Sequence, residues 1–360
     1  MRFGIWSPTN PRDGVSSVEL YRQQIDEARL AEECGFDHLW FYEHHVSPSG
    51  PMPSPNLMIA AAGAVTNRIR LGTMVNILPY RNPLIAAEEA AMLDTLTNGR
   101  LDWGVGRGLK PLEFEAFCLP QERSRDMFLE HMAIVKRVWA DENFAFKGEF
   151  FQVNKQTPLS PPCVQSPHPP LYVSAQSEES LRWAAMNNAH FCQIDSLIEE
   201  AGRDQAFYRG VQTAAGHKPD ARLVITREIY VAETMEQARE EAQPWLLRYW
   251  QLWHRYAQLT YQGRMPDEYA KWRERAPMLA KMSFEELNER GLIMVGTAEH
   301  VARRILDHAE QLDLAALACV FKFGGMPFDL LKASMLRFSR DVMPLVRAGL
   351  AARAPARDAA

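Results

Sequence analysis

The chain has 360 residues, of which 47% are hydrophobic, enough for the core of one large α/β barrel or of two ordinary domains. The net charge of -5 and the scattered basic residues argue against nucleic acid and anionic membranes as partners. Five cysteines without a CxxC spacing indicate reduced thiols, and no apolar stretch has the length of a signal segment or a membrane span, so we predict a cytoplasmic protein.

Short strand-like runs alternate with longer amphipathic stretches along most of the chain. This alternation is typical of a parallel sheet whose strands are joined by right-handed helical crossovers. The predicted strands cover residues 2–6, 37–41, 69–75, 101–105, 171–175, 190–194, 222–232 and 317–323. Eight such strands predict an α/β fold, a single (β/α)8 TIM barrel that spans residues 1–347 and is followed by a disordered tail, residues 348–360.

Three segments interrupt the alternation of strands and helices. The stretch "FAFKGEFFQV" predicts a hairpin, and the proline-rich stretch "TPLSPPCVQSPHPP" is a connector. The polar residues 261–290 are a candidate lid over one end of the barrel. An exposed helical hairpin without a gating role is the alternative for this third segment.

Two histidines and a carboxylate follow the second predicted strand, in "WFYEHHV". Side chains beyond the carboxyl ends of barrel strands surround a common mouth, where such enzymes carry out their chemistry. Glu43, His44 and His45 therefore suit general acid or base work. The alternative is that one histidine caps the barrel and the other is solvated. Zinc binding is disfavoured, because consecutive side chains diverge and no third-ligand spacing is present.

Two further segments indicate a phosphate pocket. The run "LDWGVGRG" lacks the dinucleotide spacing GxGxxG, because position 109 is a leucine, but it leaves Arg107 at the mouth, where a guanidinium suits a phosphate. After the fifth strand, "SAQSEESLRWAAM" places Ser177 and Ser180 at the start of a helix, whose free amides attract anions. A structural salt bridge for Arg107 and a simple helix cap for Ser177 remain alternatives.

Together with these segments, two more carry a family resemblance. The chain contains, in order, "WFYEHHV", "RLGTMVNILPYRNPLIAAEEAAMLDTLTNGRLDWGVGRG", "YVSAQSEESLRWAA", and "VGTAEHVARRI" followed by "FGGMPFDLLKASMLRFSRDVMP". Up to about Arg347 it resembles bacterial luciferase-like monooxygenases. The resemblance implies a (β/α)8 barrel that binds reduced flavin mononucleotide (FMN), activates oxygen and oxygenates an organic substrate.

The resemblance also implies roles for particular residues. His44 matches the catalytic histidine of the family, and Arg107, Ser177 and Ser180 match its phosphate-binding positions. Gln176 stands where the family has another neighbour of the flavin phosphate.

The resemblance also implies a contact with the flavin ring at the end of the third strand. By resemblance, Met74 and Val75 flank a non-proline cis peptide on which the flavin ring rests, whereas simple core filling is the alternative for Met74. Gly106 replaces the reactive cysteine of the light-emitting members, so we do not infer light emission.

The predicted activity is that of a two-component monooxygenase acting through a flavin peroxide. Since no dinucleotide fingerprint is present, a separate NAD(P)H:flavin reductase would supply reduced FMN, and His44 would manage the proton while Glu43 orients a neighbouring histidine. The alternatives are a deazaflavin-dependent dehydrogenase of the same superfamily and a non-catalytic flavin-binding subunit. We also expect a homodimer without a metal site. Candidates for an apolar substrate chamber are Trp6, Tyr80, Trp103, Trp250 and Trp253.

Overall fold

The computed structural model describes residues 1–47, 50–140, 143–156, 159–261, 275, 277–279 and 281–353. Within these ranges the strands are β1 Arg2–Trp6, β2 His38–Phe41, β3 Arg70–Thr73, β4 Asn76–Ile77, β5 Leu101–Gly106, β6 Phe144–Lys147, β7 Gln152–Gln156, β8 Leu171–Ser174, β9 His190–Gln193, β10 Leu223–Val231, β11 Ile293–Gly296 and β12 Leu314–Val320.

Helices lie between the strands. They are α1 Ser17–Glu33, α2 Pro55–Gly63, α3 Pro83–Leu96, α4 Pro111–Ala116, α5 Ser124–Ala140, α6 Glu178–Met186, α7 Ile198–Ala214, α8 Met235–Tyr261, α9 Phe284–Glu289, α10 Ala298–Gln311, α11 Phe328–Arg337 and α12 Met343–Arg353. Several helices have an N-cap residue whose side chain accepts a hydrogen bond from a free backbone amide of the first turn. Ser16 is this residue for α1, and Thr297 is this residue for α10.

Eight parallel strands close into a barrel in the order β1, β2, β3, β5, β8, β9, β10 and β12, and the TIM-barrel prediction is confirmed. Each of the eight predicted strands corresponds to one of these, although the last lies a few residues earlier than predicted. The predicted hairpin is the antiparallel pair β6 and β7. Strand β11 was not predicted; it pairs with the second half of β10, which extends beyond its pairing with β9.

In the barrel interior, the large side chain of Trp40 packs against two glycines. Trp40 is fully buried, and a Cβ added at Gly4 or Gly72 would lie 2.2 or 2.6 Å from its ring. Glycine at these two positions therefore leaves the volume that the indole occupies. Below this layer, Asp102 accepts hydrogen bonds from Arg70 Nε at 2.9 Å and Nη2 at 2.7 Å, and lies 2.7 Å from His38 Nδ1.

The last helix of the chain extends beyond the predicted end of the barrel domain. Helix α12 continues to Arg353, so the boundary predicted after residue 347 lies inside a helix, and residues 348–353 are helical instead of disordered. Of the predicted lid, residues 262–274, 276 and 280 lie outside the described residues. Its described part includes α9, which begins with a capping box formed by Ser283 and Glu286.

Candidate functional site

Glu43 is the centre of a buried hydrogen-bonded cluster at the mouth. Its Oε1 lies 2.8 Å from His45 Nε2, and its Oε2 accepts hydrogen bonds from Asn76 Nδ2 and Arg81 Nη2, each at 2.8 Å. The predicted contact between Glu43 and a neighbouring histidine is therefore made with His45. The other side of the His45 ring lies against Phe117, with the ring centroids 5.0 Å apart, so this imidazole is held in place from both sides.

His44 faces a different carboxylate. Its Nδ1 lies 3.2 Å from Glu113 Oε1, within ion-pair distance but without the alignment of a hydrogen bond. Its backbone amide donates to the carbonyl of Met52 at 3.0 Å. Burial lowers the pKa of His44 to about 4, and the charge of Lys110 adds to this effect, while Glu113 opposes it. The imidazole is therefore neutral at pH 7 and can accept a proton.

Glu113 and Lys110 were missed by the sequence reasoning. Pro111 opens helix α4, which puts Lys110 at its N-cap and Glu113 in its first turn. Glu113 Oε1 accepts a hydrogen bond from the backbone amide of His45 at 3.1 Å and lies 3.9 Å from Lys110 Nζ. Burial lowers the pKa of Lys110 to about 7, although Glu113 opposes the shift. A lysine that follows a glycine-rich loop gives no local signal of such burial.

Some of the predicted phosphate residues line one cavity. A cavity of about 220 Å³ is lined by Arg107 and Ser180, with Arg125 of α5 beside them. Arg125 was not predicted; its Nη2 lies 3.4 Å from the hydroxyl of Ser177, which also caps α6 by accepting from the Ser180 amide at 3.4 Å. Two guanidinium groups, two hydroxyls and a helix N-terminus form a donor set that fits a phosphate. Ser177 therefore caps α6 and also lies beside this candidate anion site.

Gln176 lies next to this donor set and is held on both sides. Its Nε2 donates to the carbonyl of Ile194 at 3.2 Å, and its Oε1 accepts from Arg275 Nη1 at 3.0 Å. Arg275 belongs to the segment predicted as a lid, and it also pairs with Glu200 of α7 at 2.5 Å. The end of β8 is thus tied to the described part of that segment.

The cis peptide expected between Met74 and Val75 is present. The indole of Trp6 donates a hydrogen bond to the carbonyl of Met74 at 3.3 Å, which fixes this strand end against β1. A Cβ added at Gly106 would lie 2.6 Å from Val75 Cγ2. Glycine at position 106 therefore lets β5 approach the cis peptide closely.

The five aromatic candidates for a substrate chamber do not all lie at the barrel mouth. Trp6 and Tyr80 lie at the mouth, where Tyr80 stands 5.6 Å from the His45 ring. Trp103 instead packs on Trp139 of α5, between the barrel and the helices. Trp250 is buried against Tyr249, and the side chain of Trp253 lies outside the described residues.

The described residues contain neither a membrane-spanning helix nor a cluster of metal ligands. In those ranges, no helix is long and apolar enough to cross a bilayer. Nor does the described part of the chain bring three or more His, Cys, Asp or Glu side chains together in a way that could hold a metal ion.

Comparison with known proteins agrees with the geometry. The family model described as "Luciferase-like monooxygenase" matches residues 1–314. An uncharacterised protein, y4wF, of Sinorhizobium fredii is 32% identical over 340 residues, which cover 91% of this chain and 92% of that protein. The oxygenase component of the flavin-dependent trigonelline monooxygenase of Acinetobacter baylyi is 26% identical over 346 residues, with 92% and 91% coverage. The crystal structure of monooxygenase RslO1 from Streptomyces bottropensis superposes with a TM-score of 0.81 at 28% identity, covering 96% of this chain and 99% of that one. The chain therefore belongs to the luciferase-like monooxygenase family.

Proposed function

We propose that this protein is the oxygenase component of a two-component monooxygenase, which uses reduced FMN and O2 to oxygenate a mostly apolar organic substrate. One observation carries the proposal: a neutral imidazole, His44, and a phosphate-binding donor set around Arg107 occupy the same barrel mouth. The relative from Acinetobacter baylyi, named as the oxygenase component of a flavin-dependent monooxygenase, supports this reading.

In this proposal the chain binds FMN at two places. Arg107, Arg125, Ser177 and Ser180 hold the phosphate, with Gln176 beside them. The cis peptide between Met74 and Val75 would contact the flavin ring. When bound, the reduced flavin supplies the electrons that activate oxygen.

In the proposal, the residues after β2 serve proton transfer and the positioning of neighbouring side chains. His44, neutral at pH 7, takes up and releases the proton that the oxygen chemistry requires. His45 is paired with Glu43, and Glu43 with Arg81, so these three residues position the wall beside His44. Aromatic side chains at the mouth, such as Tyr80, help to keep water away from the reacting groups.

The phosphate assignment is tested by anaerobic titration with reduced FMN. Removing one charge-assisted hydrogen bond costs about 1.5–3 kcal/mol, so Arg107→Ala and Arg125→Ala should each weaken binding roughly 10- to 100-fold. Arg182→Ala is the matched control. Arg182 also lines the cavity and pairs with Glu178 at 2.8 Å, but its guanidinium lies 5.0 Å from the centre of the Phe207 ring, whereas Arg125, which pairs with Glu179 at 3.4 Å, lies 3.4 Å from the Ser177 hydroxyl. Unchanged affinity in folded Arg107→Ala and Arg125→Ala would remove the assignment.

Admission of oxygen separates this function from its alternatives. After the anaerobic complex meets oxygen, the flavin absorbance should pass through a species that persists far longer than for free reduced FMN. A deazaflavin-dependent dehydrogenase would bind reduced deazaflavin in preference to FMN and show no reaction with oxygen. A non-catalytic subunit would bind FMN and leave its oxidation no different from that of free flavin.

A separate reductase is the proposed partner. The chain carries no GxGxxG dinucleotide fingerprint, so NADH and FMN alone should give little oxygen consumption, and addition of a flavin reductase should restore it. Full oxygen consumption without a reductase would contradict the two-component assignment.

The substrate is sought with labelled oxygen gas. The reductase-coupled enzyme is offered a set of apolar ketones, aldehydes, phenols and aromatic acids, and mass spectrometry identifies the product that gains one labelled oxygen atom. The position of that atom separates hydroxylation from ester formation and bond cleavage.

We further infer that the protein is a homodimer in a reducing compartment such as the cytoplasm. Helices α2 and α3 pack side by side and expose four apolar side chains by more than half, Leu57, Ile85, Met92 and Leu96. An apolar face of this kind suits a second copy of the same chain. The described cysteines are all free thiols, as expected in such a compartment. Sedimentation of Ile85→Lys and Met92→Lys should show a shift from dimer to monomer.

A further inference from the structure

Glu228, which is only 1% exposed, lies on the inner face of β10. Its neighbour Arg227 points outward, because Arg227 Nε donates a hydrogen bond to His308 Nε2 of the outer helix α10 at 3.1 Å. Successive side chains of a strand point to opposite faces of the sheet. The carboxyl group of Glu228 therefore points into the barrel.

The level of Glu228 along the barrel is that of Trp6 at the mouth. Glu228 pairs with Val320 of β12, and β12 pairs with β1 up to the residues just before Val320 and Trp6. The indole of Trp6 donates to the carbonyl of Met74 at the cis peptide, at 3.3 Å. Glu228 therefore lines the same end of the barrel interior as the residues proposed to contact the flavin.

Two polar atoms on this inner face have no hydrogen-bond partner among the described residues. They are Glu228 Oε2 and Thr226 Oγ1. Thr226 is 2% exposed and precedes Glu228 by two residues, so both side chains share the inner face of β10. A buried polar group without a hydrogen bond is costly, and in a native structure it indicates a molecule that binds there. The inner wall of β10 therefore offers a polar subsite inside a largely apolar barrel.

The surroundings of Glu228 favour its protonated form. Burial raises the pKa of Glu228 well above its ordinary range, the negative charge of Asp195 raises it further, and Arg227 opposes the shift. Asp195 follows β9 and is itself 4% exposed; burial raises its pKa to about 6, while Arg227 and Arg275 oppose this shift. Near pH 7 the proton therefore stays on Glu228. A carboxylic acid kept neutral in this way donates a hydrogen bond.

We propose that Glu228 is a specificity-determining residue, whose carboxylic acid donates a hydrogen bond to an uncharged oxygen of the organic substrate, with the Thr226 hydroxyl as a second donor. A carbonyl group fits this subsite, because its oxygen has two lone pairs and no charge. A carboxylate does not fit, because the negative charge of Asp195 repels it. This role rests on the proposed function, but the proton on Glu228 and the binding of a ketone are properties of the protein without flavin.

The proton on Glu228 is tested by infrared spectroscopy of the flavin-free protein at pH 7. The carbonyl stretch of a carboxylic acid is separate from the bands of a carboxylate, so Glu228→Gln should remove an acid band from the wild-type spectrum. Asp220→Asn is the control. Although burial opposes it, the 2.6 Å hydrogen bond from Arg222 lowers the pKa of Asp220, so this variant should remove carboxylate bands only. Loss of carboxylate bands in Glu228→Gln would overturn the proposal.

Binding of a substrate oxygen is tested on the same flavin-free protein with two apolar ketones, acetophenone and cyclohexanone. Each probe carries carbon-13 at its carbonyl group, so that its stretch can be separated from the protein bands. A carbonyl that accepts hydrogen bonds absorbs at lower frequency, so at least one bound probe should show this shift in the wild type. Glu228→Met, which has no donor, should reduce the shift, and Glu228→Gln, which keeps an N–H donor, should retain most of it. No shift in the wild type, or an equal shift in Glu228→Met, would overturn the proposal.

Thr226→Val keeps the test decisive if the variants of Glu228 do not fold. It replaces the hydroxyl group by a methyl group of similar shape. Because this hydroxyl has no partner within the described part of the chain, its loss should leave the melting temperature of the ligand-free protein unchanged or higher. The carbonyl shift of the bound ketone should become smaller. A lower melting temperature with an unchanged carbonyl shift would show a structural role for the hydroxyl and contradict the subsite.

The flavin-loaded enzyme gives an independent readout. With the substrate that the labelled-oxygen screen returns, Glu228→Met should raise KM about 10-fold, the scale of one hydrogen bond, and leave the affinity for reduced FMN unchanged. Glu228→Gln should restore most of the lost affinity for substrate. An unchanged KM in Glu228→Met would contradict the proposal. Failure of the wild type to bind reduced FMN would contradict the proposed function instead, and the two infrared measurements would still decide the role of Glu228.

Discussion

The barrel interior and the barrel mouth both bury charged residues, but they pair them differently. Inside, Asp102 receives two hydrogen bonds from Arg70 and lies 2.7 Å from His38. At the mouth, Lys110 stands 3.9 Å from Glu113, and His44 lies beside the same carboxylate without hydrogen-bond alignment. The partners of Asp102 hold its carboxylate ionised, whereas burial dominates the pKa shifts of His44 and Lys110 at the mouth.

The pKa shifts follow this difference. Burial alone would raise the pKa of Asp102, but the hydrogen bonds and charges of His38 and Arg70 outweigh burial and lower it. For Lys110, burial dominates and Glu113 compensates only in part, so its pKa falls to about 7. Strongly shifted, incompletely compensated groups are typical of sites that exchange protons. The interior therefore stabilises the fold, and the mouth is suited to chemistry.

Removal of the interior carboxylate should have the largest effect. Asp102→Ala removes a fully buried carboxylate and takes the charged partner from buried His38 and half-buried Arg70, so the free energy of unfolding should fall by about 3–5 kcal/mol in urea titrations. Asp26→Ala is the control, because Asp26 makes an exposed pair with Arg29 and should cost less than about 1 kcal/mol. Equal effects of the two variants would mean that the interior network contributes little to stability.

A substitution at the mouth should impair chemistry and spare stability. His44→Ala should reduce product formation about 100-fold or more, the scale of a general acid or base, with the substrate found by the labelled-oxygen screen. Reduced FMN should still bind, because the proposed phosphate donors lie on other loops. His45→Ala should have a smaller effect, since His45 is paired with Glu43. Loss of turnover confined to His45→Ala would show that the two histidines are assigned the wrong way round.

The smallest effect is a pH-dependent difference in stability. Folding lowers the pKa of Lys110 from its ordinary 10.5 to about 7, so between these values the unfolded chain binds a proton that the folded chain does not. This contribution raises the free energy of unfolding of the wild type as pH increases, and Lys110→Met lacks it. The quantity to compare is the free energy of unfolding of Lys110→Met minus that of the wild type. It should be more positive at pH 6 than at pH 9 by at least about 1 kcal/mol, the equivalent of one pKa unit.

That difference is measured by urea unfolding of both proteins at each pH. Because the raised pKa values of buried cysteines also affect stability at high pH, the comparison uses the difference between the two proteins and not the slope of either one. A pH-independent difference would show that Lys110 titrates normally in the folded protein.

Much of the fold could be predicted because the signals are local. Apolar runs and helical periodicity are patterns within consecutive residues. These patterns predicted the eight barrel strands and the hairpin of β6 and β7. Strand β11 was not predicted, because the apolar run "LIMVG" is short. Its pairing with the end of β10 depends on the extra length of β10.

The sequence by itself determined the barrel, the position of Glu43, His44 and His45 after its second strand, and the placement of Arg107, Ser177 and Ser180 after two neighbouring strands. Only the tertiary structure decided which charge faces which. It paired Glu43 with His45 and placed Glu113 and Lys110 beside His44, and it brought Arg125 from α5 to the cavity proposed to bind phosphate. The physical reason is that backbone periodicity is set by neighbours along the chain, whereas burial and ion pairing depend on groups that become neighbours only when the barrel closes.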